Sequence, residues 1–345
     1  WLRPGWCYRL ARHIEKRSEH TLPGLARLLS ADRWLNPVRP LPPVGGNPWL
    51  HGVELKEYDV TLPLSERPGH TLVLGTTRVG KTRLAELLAT QDIRRGEVVI
   101  VFDPKGDADL LKRLWTEAQR AGRGDRFILF HLAYPEISAR YNAIGRFGRI
   151  SEVASRLTGQ LSGEGNSAAF REFAWRFVNI IARALVALGQ RPDYQLISRH
   201  VVNIDALFID YARIVLPRHN ARAWEVVVQL AEQLNDRNMP RHMLGRDPHV
   251  VALEQYLSTE KFYEPILDGL LSAVRYDKTY FDKIVASLLP LLEKLTTGTL
   301  AALLAPDYHD LDDSRPILDW QQAIRQKSVV YVGLDALSDA VVAAA

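Results

Sequence analysis

The chain has 345 residues, 47% of them apolar and 24% charged, with a formal net charge of +4 and one cysteine. That composition suits a globular core, and the single Cys7 cannot close an internal disulfide, which excludes a disulfide-framed secreted scaffold. No window approaches eighteen consecutive apolar residues and the start carries no apolar signal core, so neither a membrane span nor a secretory signal is expected within these residues.

The first 40 residues carry eight cations (Arg3, Arg9, Arg12, Lys16, Arg17, Arg27, Arg33 and Arg39) against three acids (Glu15, Glu19 and Asp32), a net of +5. Such a segment suits an anionic leaflet or DNA phosphate, or is simply a solvated helix face. The stretch NPVRPLPPVGGNPWL, residues 36–50, is too rich in proline and glycine for a helix or a central strand and reads as a linker. EYDVTLP and HTLVLG then read as β-rich, followed by a helix from Lys81 to about Gln91. The run EVVIVFDPKGD suits a strand buried on both faces, Leu110 to Gln119 a helix, and FILFHLA, residues 127–133, a third strand. This β, α, β, α, β order with short connections predicts an α/β fold with a parallel sheet.

After about Ser151 the strand pattern stops and helical spacing takes over. Phe170, Phe173, Ala174, Phe177, Ile180, Ile181, Leu185 and Leu188 recur at three- and four-residue intervals and mark one apolar face of a long helix. Further helices are expected at about 193–215, 223–235, 248–258 and 281–304. Strand character returns at KSVVYVGL, residues 327–334, with a helix after it. The predicted organisation is therefore a basic segment and linker over 1–50, a sheet domain over 51–150, an all-α insertion over 151–304, and a return to the sheet over 305–345. No internal repeat is present, and the apolar stripes of the insertion read as core. The chain starts at Trp1 and its last helical pattern stops without a polar tail, so both ends read as cut.

Gly75, Thr76, Thr77, Arg78, Val79, Gly80, Lys81 and Thr82 match G-x-x-x-x-G-K-[ST]. The chemistry needs those residue types: glycines let backbone N–H groups turn inward around phosphates, and a helix N-terminus adds partial positive charge. Lys81 would reach the β- and γ-phosphates of ATP, and Thr82 would place its hydroxyl on Mg²⁺. A nucleotide site also needs an acid at a strand end. Asp103, closing VVIVFD, and Asp335, closing YVGLD, both have that position. Asp103 is open to two readings, a turn acid or a contributor to the nucleotide site.

GTTRVGKTRLAELLATQDIRRG, VIVFDPKGDADLL and FHLAYPEISARYNAIGRFGRISEVASRLTGQL resemble the conjugative coupling proteins of the TraD/TraG group, particularly those of integrating conjugative elements. The P-loop and the DPKGD segment are also similar to the wider FtsK/HerA motor superfamily. The resemblance implies a RecA-like P-loop NTPase sheet with an inserted all-α domain, assembled as a homo-hexamer. It implies an ATP-dependent translocase that receives DNA from a relaxase or relaxosome and delivers it to a type IV secretion channel. It further implies an N-terminal membrane anchor upstream of Trp1, which would place the whole protein on the cytoplasmic face of the inner membrane and leave these residues soluble. Arg78 stands where small residues are common in that superfamily. The family's Asp-Glu Walker B pair is expected downstream of Ala345, so the resemblance implies weak or no hydrolysis by residues 1–345 alone. Two other functions fit the same residues: a non-conjugative DNA pump, and a nucleotide-gated adaptor whose helical insertion recruits a protein–DNA complex.

Overall fold

The computed structural model describes residues 5–31, 61, 63–67, 69–76, 79–161, 167–235, 239–240, 243–260, 262–276 and 278–344. They divide into two compact units, residues 1–91 and 92–345. The predicted linker at 36–50 and most of EYDVTLP lie outside the described residues.

In the first unit, α1 (Gly5–Ser18) and α2 (Pro23–Ser30) pack together as a hairpin. Small residues make the close approach, since Ala11, Ser18 and Ala26 are the buried ones. Pro23 opens α2, where its missing N–H leaves no helical bond unmade. Arg12 ties the pair, donating to the Leu29 carbonyl at 2.5 Å and pairing with Glu15 at 2.5 Å. The strand predicted at HTLVLG is not formed. Residues 71–76 take no regular secondary structure and pair with no strand among the described residues, and Leu72 and Leu74 are about four-fifths exposed, at 80% and 81%. A β-branched, apolar run sets a preference for extension, but a strand exists only where another strand supplies its hydrogen bonds. The helix after the loop, α3 (Lys81–Arg95), runs one turn longer than predicted.

The second unit is mixed α/β around a three-stranded parallel sheet. β1 (Val99–Asp103), β2 (Phe127–His131) and β3 (Val329–Gly333) stand in the order β1-β3-β2. The last strand in sequence is thus the central one, buried along its whole length. Its register aligns Asp103 and His131 with Gly333, so all three strands end on one level. Between β1 and β2 lies α4 (Ala108–Arg120), capped by Asp107, whose carboxylate accepts from the N–H groups of Asp109 and Leu110.

The base of the sheet is held by two charged residues. Glu117 of α4 is fully buried and is met by Arg94 at 2.7 Å, Arg120 at 2.9 Å and Arg113 at 3.5 Å. Burial pushes its carboxyl up, but the bonds from Arg94 and Arg120 outweigh this and hold it below the usual range. Arg123 donates to the carbonyls of Ile93 and Glu97, both at 2.8 Å, and of Lys327. One guanidinium thereby fixes the end of α3, the entry to β1 and the entry to β3.

The helices between β2 and β3 are α5 (Ser151–Thr158), α6 (Ser167–Ala187), α7 (Tyr194–Val202), α8 (Ile204–His219), α9 (Ala223–Gln233), α10 (Pro248–Glu260), α11 (Pro265–Val274), α12 (Lys278–Thr296) and α13 (Gly298–Leu304). In α6 the predicted apolar face is the buried one, with Ala174, Phe177, Ile180, Ile181 and Leu185 in the core. The helix predicted at 193–215 is two helices, because Asn203 takes a non-helical backbone and its side chain caps α8 at Ala206 N–H. The helix predicted at 281–304 starts earlier and breaks before Gly298, whose φ of +61° lies in the left-handed region. α11 was not expected; Glu264 caps it through Leu267 N–H at 2.6 Å. α14 (Trp320–Arg325) leads into β3, and α15 (Ala340–Ala344) follows it. Phe130, Val330 and Val332 of the sheet belong to the same buried cluster as Phe177 and Leu185. The predicted boundaries at 150 and 304 therefore both fall inside one compact unit. No helix among the described residues is long and apolar enough to cross a membrane.

Candidate nucleotide site

Of the eight motif residues, Thr77 and Arg78 lie outside the described residues, and the other six form a tight bend into α3. Gly80 is required by the backbone it occupies, and Gly75 lies close under the Val79 side chain. A Cβ on Gly75 would meet Val79 Cγ2 at 2.6 Å, and Gly80 has a φ of +95°. The Gly80 carbonyl accepts the first helical bond, from Leu84 N–H at 3.0 Å, so α3 starts at the motif lysine. Lys81 folds back over the loop, and its Nζ donates to the carbonyls of Gly75 at 2.7 Å and Thr76 at 2.5 Å. Thr82 is exposed on the first turn of α3.

This arrangement can accept a polyphosphate. The opening turn of an α-helix has N–H groups without intrahelical acceptors, and the lysine ammonium sits over the loop carbonyls at the same end. Among the described residues the ammonium is held by neutral carbonyls, a weaker hold than a phosphate oxygen would give. Moving it from one to the other needs only side-chain rotation. Thr82 stands one residue on, at the place from which a hydroxyl could take a Mg²⁺ ion. Among the described residues no group of three or more His, Cys, Asp or Glu is placed to hold a metal.

Asp103 lies in the other unit, at the carboxyl end of β1, and its oxygens are engaged by its own turn. Oδ1 accepts from Lys105 N–H at 3.0 Å, and Oδ2 accepts from Asp107 N–H at 2.6 Å and from the Tyr331 hydroxyl at 2.7 Å. Burial raises its pKa, but these bonds, with one from Gly106, outweigh it and hold the carboxyl below its ordinary value. The turn acid among the two readings of Asp103 is thus directly visible. Asp335 follows β3 with a φ of +46°, and its segment bonds back to the first turn through Leu334 N–H to the Asp103 carbonyl and Ala336 N–H to that of Pro104.

Between these two turns is a residue that sequence reasoning missed. His131 ends β2, is 3% exposed, and its ring fills the space that Cβ atoms on Gly106 and Gly333 would occupy. Its Nδ1 accepts from Ala133 N–H at 3.1 Å, while Nε2 has no hydrogen-bond partner. Burial pushes the imidazole pKa down, and Asp335, the Gly106 backbone and Asp103 recover only part of that. The signal was present: one polar residue closes the apolar run FILF, at the level where the sheet ends. A cavity of about 500 Å³ lies on the sheet face formed by Phe102, Phe130 and Val332, and is closed by Tyr141 and Trp320. None of the described motif residues lines it.

Comparison with models of known families, with curated proteins and with solved structures finds no match for this chain.

Proposed function

We propose that this chain is the nucleotide-binding part of an ATP-dependent DNA translocase of the conjugative coupling type, with a RecA-like sheet as its motor core. The observation that carries the proposal is the loop itself: one glycine in the left-handed region, a second close under Val79, and a lysine whose ammonium already closes over the loop at the start of a fifteen-residue helix. Gly75, Thr76, Val79 and Gly80 shape the cradle, Lys81 binds the β- and γ-phosphates, and Thr82 holds Mg²⁺. Thr77 and Arg78 complete the loop in sequence. Asp103 contributes by keeping the turn after β1 in one conformation. DNA, a relaxase and a type IV secretion channel are the partners that the sequence resemblance adds.

The test has two stages. Titration of a fluorescent ATP analogue with Mg²⁺ should show binding that Lys81→Ala removes. Phosphate release is then measured with and without DNA. Stimulation by DNA supports the motor; nucleotide binding without DNA-stimulated turnover would replace it with a nucleotide-gated adaptor.

A further inference from the structure

The α1–α2 hairpin has a surface that the nucleotide site does not use. Trp6, Leu10 and Ile14 are spaced four residues apart, and their exposures are 61%, 51% and 37%. At about 100° per residue they lie on one stripe roughly 80° wide. The small residues Ala11 and Ser18, beside the stripe, are the ones buried against α2. On the other side stand Arg9 and Lys16, about 60° to 80° beyond Trp6, and Arg17 closes the stripe at its C-terminal end. Glu15 lies away from the stripe and is bound to Arg12. Residues 5–31 carry five cations (Arg9, Arg12, Lys16, Arg17, Arg27) and two acids (Glu15, Glu19), a net of +3.

We propose that this hairpin seats on an anionic lipid surface. Trp6, Leu10 and Ile14 enter the boundary between headgroups and acyl chains, and Arg9, Lys16 and Arg17 meet the lipid phosphates. Amphipathic helices with a basic flank and an apolar stripe bind bilayers in this way, and tryptophan is favoured at that depth. DNA phosphate would satisfy the cations but leave the stripe, with its exposed indole, in water. The combination of the two surfaces on one helix therefore selects lipid over nucleic acid. The proposal is independent of the nucleotide site.

Flotation of the 345-residue chain with phosphatidylcholine vesicles containing roughly a third phosphatidylglycerol tests it, against vesicles of phosphatidylcholine alone. Binding is expected to be at least about tenfold tighter to the anionic vesicles and to weaken with added salt. The triple charge change Arg9→Glu, Lys16→Glu, Arg17→Glu should abolish this preference. Trp6→Ser with Leu10→Ser should weaken binding while leaving the salt dependence in place. All the changed side chains lie outside the buried core, and helix content by circular dichroism checks that each variant folds. Lys81→Ala should float as wild type does, which keeps this result separate from nucleotide binding. Three outcomes would overturn the proposal: equal flotation of all variants, hairpin-dependent binding of duplex DNA without vesicle binding, or loss of self-association as the only effect of Trp6→Ser with Leu10→Ser.

Discussion

The loop that opens α3 and the carboxyl edge of the sheet are both turns built around glycine, yet they are held in opposite ways. Around Lys81 the described part of the loop is exposed, and one flexible ammonium bonds to two of its carbonyls. Around Asp103 the turn is locked by two backbone N–H groups, a tyrosine hydroxyl from the central strand, and an imidazole wedged between two glycines. An element that must take up and release a charged ligand keeps its polar groups within reach of solvent. An element that must keep strands in register buries them. A change at the first should therefore move ligand affinity with little effect on folding, and a change at the second should do the reverse.

The largest expected effect is on the first side. Lys81→Ala should weaken ATP·Mg²⁺ binding by about a hundredfold, equivalent to ~2.7 kcal/mol, since charge-assisted bonds to phosphate are lost. Its urea midpoint should stay within about 0.5 kcal/mol of wild type, as for other exposed positions. A variant that binds as wild type does would end the phosphate-cradle reading. The mirror experiment is Gly333→Ala, whose Cβ would collide with the His131 ring in the middle of the unit. It should cost about 2 kcal/mol of stability in a urea titration. An unchanged midpoint would mean that the imidazole can move aside, and that the two edges are not as different as they look.

His131 also gives the contrast a pH signature. Its pKa is depressed in the folded protein, so as pH falls below about 6.5 the unfolded chain takes up the proton first. Its contribution to stability is complete above that pH and declines below it. Urea midpoints from pH 8 to 5 should fall, and His131→Phe should flatten the slope. His200, buried in α7 and shifted the same way by burial, keeps part of the slope in that variant. A profile identical to wild type would mean that the His131 ring carries no protonation penalty.

What was legible in the sequence follows from which physical constraint each residue expresses. The start of α3 was legible because Gly80, whose left-handed φ favours glycine, stands directly before it. Strands β1 and β2 were legible as apolar runs, and so was the return of strand character at Val329–Gly333. That β3 would lie between β1 and β2 was not, because strand order is a property of pairing between segments some 200 residues apart. The same reason explains the failure at Leu72–Leu74, where composition asked for a strand and no described neighbour supplies one. α11 was missed although Leu267, Leu270, Leu271 and Val274 recur at helical spacing, because a run of ten residues broken by Gly269 is short for a helix read from period alone. His131 escaped because one histidine carries no spacing; only the two glycines that face it from other segments give it a place.

The smallest effect is the most specific test of the locked turn. Tyr331 spans from the central strand to Asp103 Oδ2 at 2.7 Å, a buried bond to an ionised acceptor. Tyr331→Phe keeps the ring and removes only the hydroxyl, so the cost at neutral pH should be about 1 to 1.5 kcal/mol. The size should depend on pH in a defined direction. The hydroxyl helps hold the Asp103 pKa below its ordinary value near 3.8, so its benefit is complete above that pH, where the unfolded carboxylate is also ionised. As pH falls through the folded pKa the proton arrives, the acceptor loses its charge, and wild type and variant should converge. Urea midpoints at pH 7, 5 and 3 measure this. A constant gap would place the loss in packing, and no gap at pH 7 would show that the two backbone N–H groups hold Asp103 without help from the central strand.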